Sequence, residues 1–163
     1  MTGKNRDEAR LQALKYIETC LDAPSLKRMI KNAQTMGEDG VERAAELRLF
    51  EILPAAKPGT LEHDVWKSIH ALESSLTSER HRTTLLNRTR PKIAREGEAA
   101  TVAELVLKKK ASEGFHMLLE RNMADLTFEA VALRHPDDFE QEVLDAARAR
   151  LLGAGYDFDV TSG

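Results

Sequence analysis

The chain has 163 residues, one cysteine and a formal net charge of −3, a length that buries about 70 % of the unfolded surface without metals or disulfides. The lone Cys20 excludes an intramolecular disulfide, and the apolar runs, broken by charges, fall short of the ~18 to 20 residues of a membrane-spanning helix. The opening residues lack the apolar stretch of a secretory signal, so a reducing, cytoplasmic location is expected.

Leu11, Leu14, Ile17, Cys20 and Leu21 recur at spacings of three and four, the period of an amphipathic helix, with Cys20 on its apolar face as a packing residue. Pro24 and Ser25 suit the start of a second helix carrying Leu26, Met29, Ile30 and Ala33, which Gly37 is placed to end. Asp39 is positioned to cap a third, through Val41, Ala45, Leu49 and Ile52, that stops at Pro54. Residues 54–60 hold two prolines and a glycine and form the clearest break in the chain. Thr60 then caps a helix with Leu61, Val65, Ile69, Leu72 and Leu76 on one face and Trp66 beside them.

Residues 80–95 follow, with five Arg, one Lys and one His and no carboxylate. Arg80, Thr84, Arg88 and Lys92 repeat every four residues and would share one side of a continuous helix. Pro91 disfavours helical geometry at Arg90, so a kink or break is expected near residues 89–91, with Pro91 opening a short helix that Gly97 ends. Thr101 followed by Glu104 matches a capping box, opening a helix that runs to Lys108, Lys109 and Lys110. Further helices are expected from Ser112, from Asp125 or Thr127, and after the break at His135 and Pro136, where Asp137 and Asp138 suit a helix start. The last carries Val143, Leu144, Ala147 and Leu151 and stops at Gly153.

No alternating strand pattern competes. The expected fold is all-α, a single domain of about eight helices over residues 5–152, comprising N-terminal helices over 5–53, a long or kinked helix with the basic tract over 60–96 and C-terminal helices over 100–152. Residues 153–163 are expected to be a flexible tail. Residues 101–119 resemble a helix-turn-helix, an unspecific likeness in which Lys110 stands where that motif has a turn glycine and Glu113, Phe115 and Met117 stand where base-reading side chains would be.

Charge is segregated along the chain. Residues 79–110 hold nine Lys and Arg against four Asp and Glu, whereas residues 111–163 hold four against eleven. Guanidinium and ammonium groups beside threonine and asparagine form the mixture that contacts phosphate. The expected nucleic-acid-binding residues are Arg80, Arg82, Thr84, Arg88, Arg90, Lys92, Arg95, Lys108, Lys109 and Lys110. The tract has little aromatic content, which disfavours base stacking and favours duplex over single-stranded partners.

The opposing reading pairs the same cations with acidic surfaces, with Glu46, Glu51, Glu140 and Glu142 as candidate partners, in an assembly or adaptor protein forming a homodimer. His63 and His70 lie about 10 Å apart along one helix, too far to share an ion without further ligands. No phosphate loop, cysteine pair or nucleophile motif occurs, so no metal, cofactor or catalytic residue is assigned. An enzyme would need a site assembled from distant residues.

Overall fold

The computed structural model describes residues 3–161. Its described residues form an all-α fold in two compact units, one ending at Ala55 and the other beginning at Ala56. The division falls inside the proline-containing 54–60 loop. No helix among the described residues is long and apolar enough to cross a membrane.

The first unit consists of α1 (Gly3–Thr19), α2 (Ala23–Met36) and α3 (Asp39–Ile52). Asp22 caps α2 by accepting the Ser25 N–H at 3.1 Å, and Pro24 occupies the first turn, where no donor is needed. Gly37 takes the left-handed conformation, φ 69°, and the next N–H, on Glu38, donates to the Ala33 carbonyl at 2.9 Å. That closure reverses the chain and packs α3 along α2 around Leu26, Ala33, Val41, Ala45 and Leu49, with Ile17 and Cys20 contributed by and just after α1. Asp39, expected as the cap of α3, is its first residue, and Glu38 occupies the cap position without a side-chain capping bond.

The Glu38 carboxylate instead accepts from Arg6 Nε at 2.6 Å and Arg10 Nε at 2.8 Å, fastening α1 to the α2–α3 turn. These two guanidinium hydrogen bonds hold its pKa at about 2 against the ordinary 4.5.

The second unit is arranged around α4 (Leu61–Arg80). Thr60 caps it, accepting the His63 N–H at 3.2 Å. After it come α5 (Thr89–Glu96), α6 (Glu98–Leu107), α7 (Glu113–Glu120), a 3-10 turn (Ala124–Leu126), α8 (Phe128–Arg134), a second 3-10 turn (Pro136–Asp138), α9 (Gln141–Gly153) and α10 (Phe158–Thr161). α6, α7, α8 and the first 3-10 turn all pack on α4, while α9 packs on α6 and α8. Val65 and Ile69 of α4 meet Val102, Val106, Phe115, Val131 and Leu151 in the core, each large aliphatic contributing about 1.5–3 kcal/mol by leaving water. Ser68 donates a buried hydrogen bond to the Leu126 carbonyl, satisfying a backbone acceptor that the turn leaves open.

Ser112 caps α7 through the Phe115 N–H and Thr127 caps α8 through the Ala130 N–H, both at 3.2 Å. Thr101 is not a cap. It lies one turn inside α6, fully buried, with its hydroxyl donating to the Gly97 carbonyl at 2.8 Å, because Gly97, φ 89°, ends α5 and leads directly into α6.

The break at His135 is as expected, and its imidazole engages α4, with Nε2 2.6 Å from Asp64 Oδ2. The chain after Gly153, expected as a loose tail, turns back: the Tyr156 N–H donates to the Leu151 carbonyl at 2.9 Å, and Tyr156 and Phe158 pack against the core. Residues 162 and 163 of that expected tail lie outside the described residues.

The depressed pKa of Glu38 means that the unfolded chain takes up this proton first on acidification. The stabilisation by Arg6 and Arg10 is therefore complete above about 4.5 and lost as the pH falls towards about 2. In thermal unfolding followed by circular dichroism, Glu38→Gln should melt below the wild type at pH 7, and the gap should close across that window. A gap that persisted undiminished at pH 2 would show that the loss comes from packing and not from the carboxylate charge.

Candidate nucleic-acid interface

The basic tract is not a continuous helix. α4 ends at Arg80 with His81 in the left-handed conformation, φ 55°, a break ten residues earlier than Pro91 suggests. The chain then folds back along α4, with the Thr84 N–H donating to Thr77 Oγ1 at 2.9 Å and the Leu86 N–H donating to Glu73 Oε2 at 2.8 Å. Only at Thr89 does α5 begin, with Pro91 in its first turn, where the missing donor costs nothing. Arg80, Thr84, Arg88 and Lys92 therefore do not line one helix face. They belong to a helix end, a returning loop and a second helix.

Glu73 organises this return. Its carboxylate receives two hydrogen bonds from one guanidinium, Arg90 Nε to Oε2 and Arg90 Nη2 to Oε1, both at 2.6 Å, while the side chain is only 7 % exposed. Arg90 also lies over the Trp66 ring, 5.2 Å from its centroid, and Trp66 Nε1 donates to Glu98 Oε1 at 3.2 Å. The bond to Glu73 pushes the Arg90 pKa up. Burial lowers that of His70, one turn before Glu73 on α4, against the opposing pull of the Glu73 charge.

Lys92 is held by Glu96 at 3.0 Å and by Glu104 at close range, which raises its own pKa and lowers that of Glu104. Two of the ten expected contact residues are thus tied into the fold by Glu73, Glu96 and Glu104, a different set of carboxylates from the one suggested by sequence.

Arg80, Arg82, Arg88 and Arg95 are exposed, and no ion pair reaches them among the described residues. Thr84 is half-buried, its hydroxyl donating to the Arg82 carbonyl at 2.9 Å. Lys108, Lys109 and Lys110 are exposed in the link after α6. The backbone beneath them is clamped by Arg150 of α9, which donates to the Leu105 carbonyl at 3.4 Å, to the Lys108 carbonyl, and to Glu129 Oε1 at 2.9 Å. A cation set against the open carbonyls of a helix C-terminus is favourable, and Glu129, itself buried, balances its charge.

The returning loop, α4, α6, α7 and α8 enclose an open cleft of about 650 Å³. Arg80, Arg88, Thr84, Asn87 and Thr89 line it on the tract side. Leu72, Leu76, Leu105 and Phe128 form its apolar part, and Ser112 and Glu113 stand at the start of α7. Phe128 is an aromatic group that the tract itself lacks, supplied by α8.

The helix-turn-helix likeness does not extend to packing. α6 and α7 each pack on α4, with few contacts to one another, and Phe115 and Met117 of the supposed reading helix are buried in the core, so its exposed face is left to Glu113, His116 and Glu120, none of them an Arg, Asn or Gln of the kind that reads base edges. His63 is buried and His70 half-buried. Among the described residues no group of three or more His, Cys, Asp or Glu side chains is arranged to hold a metal ion.

Sequence reasoning passed over Glu73, although a signal was there: it sits between Ile69, Leu72 and Leu76 in an apolar stripe, where a carboxylate demands a cation. Glu129, inside the apolar run from Leu126 to Leu133, carries the same signal.

Removing Arg90 leaves Glu73 charged and buried. Arg90→Ala should cost about 2–4 kcal/mol, below the full penalty for a buried pair because the arginine side chain is 34 % exposed. Arg88→Ala, at an exposed site without partners, should stay within about 0.5 kcal/mol. Urea unfolding of both variants checks the contrast, and equal effects would contradict the division of the tract into paired and unpaired cations.

No known protein family, curated protein or solved structure compared with this chain matches it.

Proposed function

We propose that the protein binds the phosphate backbone of nucleic acid, without catalysing a reaction, through Arg80, Arg82, Arg88 and Arg95 with help from Lys108, Lys109 and Lys110. The observation that carries this reading is the contrast within one tract. Arg90 and Lys92 have carboxylate partners, whereas the four exposed arginines have none among the described residues, in a chain whose net charge is negative. Exposed, unneutralised guanidinium groups on the end of α4, the loop beside it and the last turn of α5 raise local positive potential and favour a polyanion. Thr84 adds a neutral group of the kind that fixes register on phosphates.

A second reading, an assembly or adaptor protein acting as a homodimer, is favoured by a different observation. Leu85 and Leu107 are 49 % and 42 % exposed, close in sequence to the free cations, and would suit a protein surface bearing both carboxylates and apolar groups.

Binding of the purified protein to labelled duplex DNA, single-stranded DNA and RNA at several salt concentrations tests the first reading. The logarithm of affinity should fall linearly with log salt, at a slope of about −0.9 per duplex phosphate neutralised. Reversing Arg80, Arg82, Arg88 and Arg95 to Glu together should abolish binding while leaving the protein folded, since each site is exposed. Unchanged binding in the folded variant would overturn this surface. Absence of binding even at low salt, with a dimer mass in light scattering that the same reversal changes, would favour the second reading.

A further inference from the structure

The cleft beside the tract has a composition that a phosphate surface alone does not explain. At about 650 Å³ it lies within the range of small-molecule sites, and its lining is of three kinds. Arg80 and Arg88, exposed and free of ion pairs, supply positive charge at its edge. Leu72, Leu76, Leu105 and Phe128 supply an apolar surface. Asn87, Ser112 and Glu113 supply acceptors, and Asn87 and Ser112 donors as well.

Inorganic phosphate would satisfy the guanidinium groups and leave the apolar surface wet. An acyl chain would cover the leucines but strip water from Asn87 and Glu113 without replacing their hydrogen bonds, at a cost of about 1–3 kcal/mol for each group. A molecule with an anionic group at one end, a flat ring body, and donors and acceptors on the ring edge matches all three kinds of lining.

We propose that the cleft takes a single unstacked nucleotide unit, with its phosphate at Arg80 and Arg88, its base against Phe128 and the leucines, and its base edge towards Asn87 and Glu113. This rests on the nucleic-acid reading above and deepens it. A base can enter the cleft only when it is out of the helical stack, so the protein prefers single-stranded to duplex nucleic acid. That departs from the duplex preference expected from the tract alone, because the aromatic surface comes from α8, 33 or more residues beyond the tract in sequence.

The test compares a labelled oligothymidine of about fifteen nucleotides with a duplex of equal length, using the wild type and Asn87→Trp. That position is exposed, and the new indole obstructs the cleft without altering charge. The wild type should favour the single strand by about tenfold, the scale of one base stacked on an aromatic side chain. Asn87→Trp should erase that preference and leave duplex affinity within about twofold. Adenosine monophosphate titrated into the full chain with labelled leucine methyl groups should shift Leu72, Leu76 and Leu105 selectively, a readout that does not depend on the variant.

Equal single-strand and duplex affinity, with no methyl shifts, would overturn the cleft while leaving the phosphate surface standing. No polymer binding at low salt, but selective methyl shifts, would retain the cleft as a free-nucleotide site and overturn the polymer reading. Absence of both would overturn the two proposals together.

Discussion

A carboxylate in the buried face of α4 cannot stay there charged without compensation, since desolvating it costs several kcal/mol unless a cation and hydrogen-bond donors replace the lost water. Glu73 is such a group. Its compensation comes from the next stretch of chain, the Leu86 N–H and both donor edges of the Arg90 guanidinium. Meeting that demand requires α4 to stop at His81 and the chain to run back antiparallel to it, so one buried charge fixes where the helix ends, where the loop lies and where α5 begins. Trp66 and Glu98 complete the same arrangement from the two helices on either side.

The return loop also sorts the positive charge of the tract. A guanidinium drawn inward to Glu73 and an ammonium held between Glu96 and Glu104 leave the remaining arginines on the outside, where no ion pair reaches them among the described residues. A continuous helix would have kept Lys92 on the same side as Arg80 and Arg88. The fold turns Lys92 to Glu96 and Glu104 and leaves Arg80 and Arg88 at one cleft, although eight residues and a change of direction separate them.

The periodicity of apolar residues made the helices legible, and cap chemistry located several of their starts, because Thr60, Ser112 and Thr127 satisfy backbone donors only a few residues away. Those are local interactions that a single sequence can display. Thr101 followed by Glu104 has the same local pattern yet sits inside α6, since a glycine four residues earlier had already allowed the helix to begin and the core offered the threonine a buried place. The tract was harder to read for a related reason. Its net charge is visible in sequence, but which cation is neutralised depends on Glu73 and Glu104, 17 and 12 positions from the residues they hold. Phe128 likewise belongs to the cleft only through tertiary packing.

Arg150 grips the end of α6 through the carbonyls of Leu105 and Lys108, so the backbone, and not any lysine ammonium, carries the mechanical connection there. The clamp is consequently independent of the three lysine side chains: exchanging their identity or capping their charge leaves each of its bonds in place. Substitution at those three positions would then leave the end of α6 held as before, and its tolerance would report on the surface and not on the fold.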